Sequence, residues 1–388
     1  TALILSYMSF AIGYIAGPFG AIFFGHIGDR KGRKVTMYAS LLMMGISTSI
    51  IGILPPAASA GVGVVIVLQL MRLAQCFGRG GTWGGGILMA YENVPENKRS
   101  FYAAIPQIGL PIGFGLSSIL IAVPTLLLPE DIFFTWGWRI PFLAAIILTV
   151  IVIRQKGEMM ETEDYKKAQA KLEAEEAEGK KHKVGFIPMV KGYWKTLLLG
   201  CGTRWVDGTF YNIFIVWILS YCINWLGMPL IQTYIITIIA CIFKIPFTLF
   251  GGWCAQKLGN TRTFVIGALA SAVLSIPTLK VIELSKGNLA ITIIGIVLGW
   301  SIAYNLIWAV ISSLWSSYFE TEVRYSGISF VYHVPSFLVA GMVPTICTLL
   351  INYGKGDTIY VGIYSTVVAL ISAACALALK ARHDRGEK

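Results

Sequence analysis

The sequence predicts an all-α polytopic membrane protein, and two observations carry that prediction. Hydrophobic residues make up 56% of the 388 residues, charged residues only 13%, and the mean hydropathy is +0.70. Soluble domains usually carry about 25% charged residues, so a chain this apolar cannot hide its hydrophobic side chains in water. The apolar residues also fall into runs of roughly 20, the length that an α-helix needs to cross a bilayer.

Eleven apolar spans follow one another along the chain. They are residues 2–24, 35–54, 62–91, 100–128, 132–153, 197–225, 229–251, 263–281, 288–314, 327–350 and 358–379. Most of the 41 glycines lie inside these spans, where small residues let membrane helices approach closely. The glycine-rich run 78–86 therefore predicts one very tightly packed helix in the third span.

The basic residues predict the topology. Of the 31 Lys and Arg residues, 23 lie in one alternate set of loops and in the tail from Lys380, whereas the opposite set of loops holds three. The loops of the basic set are 25–34, 92–99, 154–196, 252–262 and 315–326. Loops rich in Lys and Arg face the cytoplasm. We therefore expect a multi-pass protein of a cell membrane, the bacterial inner membrane, with a cytoplasmic C-terminus and no nucleic-acid partner.

An internal repeat predicts two similar halves in parallel orientation, a pattern known in secondary transporters. GHIGDRKGRK at 25–34 and GWCAQKLGNTR at 252–262 share two glycines and a basic residue at an offset of 227. Within the second half two spans precede the loop motif, whereas within the first half only one span does. We therefore expect a further helix of roughly 30 residues before Thr1. The predicted domains are an N-terminal bundle, 1–153, a cytoplasmic linker, 154–196, and a C-terminal bundle, 197–388.

The linker is the one long polar segment. Its Ala, Glu and Lys composition is typical of a solvated helix or a flexible connector. The alternative is a regulatory role for this segment.

Several motifs resemble the major facilitator superfamily. GHIGDRKGRK resembles its signature loop between helices 2 and 3, and Arg72-x-x-Gln75 with the glycines that follow resembles its helix 4 motif. Three stretches resemble its metabolite:proton symporter family, which includes shikimate, α-ketoglutarate and proline/betaine carriers. They are GGTWGGGILMAYENVPENKRSFY at 80–102, WGWRIPFL at 136–143 and YFETEVRYSG at 318–327. The resemblance implies two pseudo-symmetric six-helix bundles, with eleven spans visible of twelve.

The signature loop predicts a gate at the cytoplasmic face. Asp29 can cap the N-terminus of a neighbouring helix, where the helix dipole favours a carboxylate. Arg30 and Arg33 can pair with Glu96 across the cytoplasmic mouth, and Arg99 belongs to the same group. The alternative is simple anchoring by positive charge.

A polar stripe in the third span predicts a substrate-binding face. Arg72, Gln75, Arg79 and Thr82 follow a spacing that places them on one side of a helix, and a charge inside the bilayer should face a cavity or a partner. Hydrogen bonding to neighbouring helices is the alternative. The other candidate substrate-binding residues are Gln107, Arg204, Tyr211, Tyr304, Asn305 and Trp308.

Asp207 and His333 are the candidates for proton coupling. Asp207 is the only carboxylate in the predicted spans, and histidine changes charge near neutral pH. The alternatives are a local ion pair between Arg204 and Asp207, at i, i+3 spacing, and a neutral, hydrogen-bonded His333.

These observations favour a transporter over an enzyme. The sequence contains no GxxxxGK[ST], HExxH or GxSxG motif, and the seven cysteines form no CxxC pair, so we expect no cofactor and no metal. Apart from Lys280, which lies at the end of a span and is counted with the loops above, the spans hold five basic residues against one acidic residue. We expect a monomer that moves a small organic acid or zwitterion by proton symport. Because Thr82 replaces a glutamate usual in that family, a uniporter or exporter remains open, as does a non-transporting sensor or disabled remnant.

Overall fold

A computed structural model describes residues 2–56, 61–155, 161–177 and 186–387, and all regular structure in these residues is helical. The first half contains five long helices. They are α1 (Ala2–Lys31), α2 (Arg33–Ile53), α3 (Val62–Glu92), α4 (Glu96–Leu127) and α5 (Gly137–Arg154). A short helix, Glu130–Thr135, lies between α4 and α5.

A polar helix, α6 (Glu163–Ala177), belongs to the segment between the halves. The second half then contains six long helices. They are α7 (Met189–Asn224), α8 (Leu230–Leu258), α9 (Asn260–Leu284), α10 (Leu289–Ser316), α11 (Arg324–Tyr353) and α12 (Ile359–Asp384). Three of them contain a π-helical segment, at Ile213–Trp217, Val297–Ala303 and Phe337–Gly341. Such segments occur mostly as single turns inside α-helices, frequently at functional sites.

Within the described residues, ten helices, α2 to α5 and α7 to α12, are long and apolar enough to cross a membrane. The helix before them, α1, is a further apolar helix of 30 residues. The structure therefore agrees with the predicted order of spans, while the exact number of eleven stays a prediction.

The repeated loop motif forms the same tight turn in both halves. Gly32 joins α1 to α2 with φ of +103°, and Gly259 joins α8 to α9 with φ of +89°. Glycine tolerates these positive φ values, which side chains disfavour. The two glycines that align in the repeat therefore occupy equivalent corners of the fold.

The predicted glycine-rich helix packs closely, as expected. A Cβ on Gly80 would overlap the backbone of Gly20 and Ala21 in α1. A Cβ on Gly81 would lie 2.7 Å from the ring of Phe24. The glycines of α3 thus allow α1 and α3 to approach backbone to backbone.

Contacts between the halves run along α1 with α11 and along α4 with α8. We call one end of the molecule the basic end, defined by the helix ends at Lys31, Arg33, Glu92 and Arg324. At this end Tyr325 of α11 donates a hydrogen bond to the carbonyl of Gly81 in α3. The two halves are thus in direct contact near the basic end.

Candidate functional site

A cavity of about 680 Å³ lies between the two halves. It is lined from the first half by Tyr14, Leu41, Met44, Arg79, Thr82, Trp83, Pro106, Gln107, Gly109, Leu110, Gly113, Phe114 and Ser117. The second half contributes Arg204, Asp207, Tyr211, Asn212, Trp308, Tyr332, Ser336 and Ala340. Arg79 lies thirteen residues before the end of α3 at Glu92, or about 20 Å from the basic end at 1.5 Å per residue. The cavity therefore lies well inside the apolar layer.

Arg79 presents a guanidinium to the cavity without a carboxylate partner in the described part of the chain. Its Cζ lies 4.7 Å from the centre of the Tyr14 ring, and its Nη2 lies 3.9 Å from Cys76 Sγ. The buried Nε has no hydrogen-bond partner among the described residues. A buried cation in this condition is costly unless something pairs with it, so the site favours an anionic ligand group.

In contrast to Arg79, Asp207 has a hydrogen-bond partner for each of its two carboxylate oxygens. One carboxylate oxygen accepts a hydrogen bond from Arg204 Nη1 and the other accepts one from the hydroxyl of Tyr304. Arg204 also donates to the carbonyl of Tyr332 at 3.3 Å and lies 4.2 Å above its ring. The expected local pair is therefore present, and Tyr304 is its third member.

The lining side chains carry a net positive charge. Among the described residues that line the cavity, Arg79 and Arg204 are cationic and Asp207 is the single carboxylate. Since Asp207 neutralises Arg204, the charge of Arg79 is left over.

An aromatic layer closes the cavity towards the basic end. Trp83 of α3 stacks on Tyr332 of α11 with ring centres 4.1 Å apart, and Trp315 lies 5.5 Å from Trp83. The indole N–H of Trp83 is buried without a partner among the described residues. This layer joins the two halves on the side of the cavity that faces the basic end.

Two predicted residues form a reciprocal clasp between the halves. Gln107 Nε2 donates to the carbonyl of Trp308, and Trp308 Nε1 donates to the carbonyl of Gln107, both at 3.1 Å. The clasp fixes one wall of the cavity, because it joins the 3-10 turn Pro106–Ile108 inside α4 to α10.

Seven of the residues predicted for substrate binding or proton coupling line this one cavity. They are Arg79, Thr82, Gln107, Arg204, Asp207, Tyr211 and Trp308. Their roles stay predictions, since geometry alone does not test them.

Arg72 and Gln75 are not brought to the cavity, which corrects the predicted stripe. Arg72 is exposed on α3, and Gln75 donates to Thr48 Oγ1 of α2 at 2.7 Å. The outer part of α3 packs on α2, so only the inner end of the stripe, Arg79 and Thr82, faces the second half. An exposed arginine can extend its long stem towards the membrane surface.

Three further candidates are buried beside the cavity and do not line it. Asn305 Oδ1 accepts a hydrogen bond from Lys244 Nζ at 2.9 Å, and the hydroxyl of Tyr304 donates a hydrogen bond to Asp207. Both ring nitrogens of His333 are buried, and neither makes a hydrogen bond of standard geometry with the described residues. The roles considered for His333 stay predictions.

Lys244 of α8 is a buried cation beside the cavity. Its side chain is fully buried, and its Nζ lies 4.5 Å from the Trp300 ring centre and 4.4 Å from that of Tyr304. The aromatic faces stabilise the ammonium group by cation–π attraction.

The predicted gate residues form a network at the basic end, with partners that differ from the prediction. Asp29 accepts from the N–H of Ser326 in the first turn of α11 at 3.1 Å, as the capping expectation describes. Arg33 is fully buried, pairs with Asp29 at 3.2 Å and donates to the carbonyl of Thr321 at 2.9 Å. Its Nε lies 3.6 Å from Glu92, which pairs with Arg324 at 2.9 Å. Charged contacts therefore join the halves here.

Arg30, Glu96 and Arg99 do not take part in these described ion pairs. Arg30 is exposed, and Glu96 lies 3.7 Å from Arg99 within its own turn. Besides Asp29, the carboxylate that Arg33 meets is Glu92, four residues earlier in the chain than the predicted Glu96. The reason is that α3 continues to Glu92, which places this side chain between the halves.

Sequence reasoning missed several residues of the cavity and the network. They are Tyr14, Trp83, Phe114, Asn212, Tyr332, Glu92 and Arg324. Glu92 and Arg324 lie inside the quoted stretches 80–102 and 318–327, so that signal was available for them. Among the described residues, no group of three or more His, Cys, Asp or Glu side chains could hold a metal ion.

Comparisons with known proteins agree on one family. The family model described as Major Facilitator Superfamily matches residues 2–340. The chain is 33% identical to the inner membrane metabolite transport protein YhjE of Escherichia coli, covering 99% of this chain and 86% of that protein. It is 30% identical to the shikimate transporter of Escherichia coli, and the match covers 97% of this chain and 84% of that protein.

Two further similarities complete the comparison. A proline/betaine transporter of Salmonella typhimurium is 27% identical, covering 99% of this chain and 76% of that protein. Among solved structures, the proton:xylose symporter XylE bound to 6-bromo-6-deoxy-D-glucose superposes on this chain with a TM-score of 0.74 at 15% sequence identity. The superposition covers 96% of this chain and 85% of that structure's chain. This likeness confirms the predicted fold of two helix bundles.

Proposed function

Because this chain belongs to the Major Facilitator Superfamily, as a transporter of metabolites, we propose that it moves a small organic acid or zwitterion by proton-coupled symport. The substrate occupies the cavity between the halves, and the two halves rock to expose it to one side at a time. The relatives named for shikimate and for proline and betaine support this class, because each of those compounds carries a carboxylate.

The observation that carries this proposal is the guanidinium of Arg79, which lines the cavity and meets no carboxylate among the described residues. A substrate carboxylate supplies the missing counter-charge and accepts charge-assisted hydrogen bonds, which are the stronger kind. The aromatic walls formed by Tyr14, Trp83 and Tyr332 suit an apolar or cationic substrate body.

The charge distribution supports an orientation with the basic end in the cytoplasm. The aromatic layer and the ion network lie between the cavity and that end, so the described conformation is closed to the cytoplasm. We propose the boundaries 1–153, 154–196 and 197–388 for the two bundles and their linker. Since both halves of one chain build the cavity, the proposed working unit is a monomer in the bacterial inner membrane.

Uptake by two arginine variants tests the proposal. Arg79→Gln removes the cavity charge, and Arg72→Gln is a matched control on the same helix whose side chain is exposed. A hydrogen bond to a charged group contributes about 2 kcal/mol, or roughly 30-fold in affinity. In proteoliposomes we expect the apparent KM for shikimate, proline or betaine to rise by about that factor in the first variant only. Equal uptake by both variants and the parent would refute the proposal.

A second candidate, a uniporter of the same substrates, is favoured by one specific observation. Both oxygens of Asp207 already accept hydrogen bonds, from Arg204 and from Tyr304, so in the described conformation this carboxylate is held by protein groups. His333, the other predicted coupling group, is buried outside the cavity lining.

For the symport proposal, we propose Asp207 as the coupling group because it contacts both the cavity and a cation that the substrate can attract.

A further inference from the structure

Lys244 of α8 lies one side chain behind the wall of the cavity. It is fully buried and is not among the residues that line the cavity. Its Nζ lies 4.4 Å from the ring centre of Tyr304, and the hydroxyl of the same ring donates a hydrogen bond to Asp207. Since Asp207 lines the cavity, a single phenol ring separates the Lys244 amine from the carboxylate of the site.

The surroundings of Nζ select its charged form. Asn305 Oδ1 accepts a hydrogen bond from Nζ at 2.9 Å, and Asn305 Nδ2 donates to the carbonyl of Lys244 at 2.8 Å, which fixes the orientation of this amide. The ring centres of Trp300, Tyr304 and Trp308 lie 4.5, 4.4 and 6.0 Å from Nζ, and aromatic faces attract a cation. These described contacts offer an oxygen lone pair and π faces, and none donates a hydrogen to a neutral amine.

The packing of α10 on α8 holds Lys244 in this place. The three aromatic residues follow one another at steps of four, which places them on one face of α10. One turn before Lys244, Ser301 Oγ donates to the carbonyl of Ala240 at 2.8 Å. Asn305 then joins the two helices at Lys244 itself. Lys244 is therefore part of a fixed seam, and its charge reaches the cavity only through its neighbours.

Asp207 lies between two cationic groups. Arg204 donates to one of its oxygens, and Tyr304, which carries the Lys244 ammonium on its ring, donates to the other. A nearby positive charge favours the ionised form of a carboxyl group, and hydrogen-bonded groups polarise one another. The charged or titratable groups that surround these three side chains are Tyr14 of α1, Arg79 of α3, Tyr211 of α7, Cys241 and Lys244 of α8, and Tyr332 and His333 of α11.

We propose that Lys244 is a positioning residue that sets the pH at which Asp207 takes up a proton. It acts through the ring of Tyr304 and touches neither the substrate nor Asp207. The proposal rests on the coupling role proposed for Asp207, to which it adds a second residue. Without the charge of Lys244, Asp207 should bind its proton at a higher pH.

An infrared titration of the full chain in lipid nanodiscs, without substrate, tests this role. A protonated carboxyl group has a C=O stretching band that a carboxylate lacks. Each protein is measured with Asp207 intact and again with Asp207→Asn, and the difference between the two spectra is the band of Asp207. The pH at which this band reaches half of its full height is called the midpoint.

Two unlike substitutions remove the same charge. Lys244→Met keeps an unbranched apolar stem, and the loss of a buried charge does not by itself harm the fold. Asn305→Asp keeps the shape of that side chain and places a carboxylate against Nζ, so that the ammonium is neutralised in place. Lys257→Met is the matched control, because Lys257 is exposed on the same helix, thirteen residues or about 20 Å further along.

The midpoint should rise by about one pH unit in both Lys244→Met and Asn305→Asp. Lys257→Met should leave it unchanged, and Lys244→Arg, which keeps the charge, should return it towards the parent value. A purely structural role for Lys244 predicts no common shift from two such different changes. An unchanged midpoint in Lys244→Met, or a midpoint that moves downwards, would overturn the proposal.

The same titration separates this proposal from the proposed function. If no band of Asp207 appears at any pH in the parent or in the variants, the coupling role of Asp207 fails and that of Lys244 fails with it. If the band titrates in the parent and keeps its midpoint in Lys244→Met, only the role of Lys244 is refuted. The dependence of uptake on Arg79 is measured independently of either result.

Discussion

At the scale of single residues, the cavity contains one guanidinium that the described protein groups leave without a carboxylate and another that is neutralised. Arg79 meets the ring of Tyr14 and a thiol, whereas Arg204 meets Asp207. Removing one partner of a buried ion pair leaves an uncompensated charge, which is strongly unfavourable. Arg204 and Asp207 therefore behave as a unit, and Arg79 is the group available to a ligand.

The coupling role proposed for Asp207 makes a prediction at this scale. Asp207→Asn keeps the shape and the acceptor for Tyr304 but cannot take up a proton. With an imposed gradient of one pH unit, one-for-one symport concentrates substrate up to about tenfold. We expect the variant to lose this accumulation while it still exchanges labelled for unlabelled substrate.

The parent with a protonophore is the control for that experiment. Collapse of the gradient should reduce its accumulation to the level of the variant. Parent uptake that ignores the protonophore would instead favour the uniporter, and accumulation that survives Asp207→Asn would exclude this residue as the coupling group. A thermal melt of the variant checks that the unpaired Arg204 has not unfolded it.

The residue scale also shows where reasoning from sequence stops. Arg72 and Arg79 share a helix face by spacing, yet Arg72 is exposed and Arg79 lines the cavity. Helical periodicity fixes the direction of a side chain around its own helix but not which neighbour the helix meets at each level. The choice of Glu96 over Glu92 as the partner of Arg33 failed for the same reason.

At the scale of elements, the turns were more predictable than the contacts. The aligned glycines Gly32 and Gly259 both adopt positive φ, because only a residue without a side chain makes that corner easily. The three π-helical segments left no recognisable signal in the sequence. They depend on how a helix accommodates one extra residue against its neighbours, which is a property of packing.

The start of α12 carries a prediction about pH. Asp357 Oδ1 accepts from Lys280 Nζ and from the N–H of Ile359, both at 2.7 Å. The hydrogen bond from Lys280, and then that from Ile359, lowers the pKa of this carboxyl below its ordinary value. A carboxyl with a lowered pKa stabilises the fold above its unfolded pKa and loses that contribution as the pH falls through its folded pKa.

Asp357→Asn should therefore lower the melting temperature by a few degrees at neutral pH. The difference in melting temperature between parent and variant should narrow as the pH is lowered, because the parent carboxyl becomes protonated. Asp384→Asn, at the exposed far end of the same helix, serves as the control. A gap that stays constant from neutral to acid pH would contradict the assignment.

At the scale of the whole molecule, composition predicts a helical membrane protein, and the repeated loop motif predicts its two related halves. Each bundle must bury its helix faces in lipid or against other helices, and that requirement shows in the apolar runs themselves. Which end is closed could not be predicted. It depends on contacts such as that of Tyr325 with Gly81 and of Arg33 with Thr321, which join residues hundreds of positions apart.

The proposed function combines these three scales. The contacts at the basic end, the aromatic layer and the charge of Arg79 in the cavity support the proposal that a carboxylate enters the cavity from the opposite side. The most direct test is a double-mutant cycle on equilibrium binding. It compares shikimate with its uncharged methyl ester on the parent and on Arg79→Gln.

In the parent, loss of the carboxylate charge should weaken binding by roughly 30-fold. In Arg79→Gln the acid and the ester should bind about equally, because the partner of that charge is gone. An acid that keeps its full preference over the ester in Arg79→Gln would show that the carboxylate binds elsewhere, and the account of the cavity would fail.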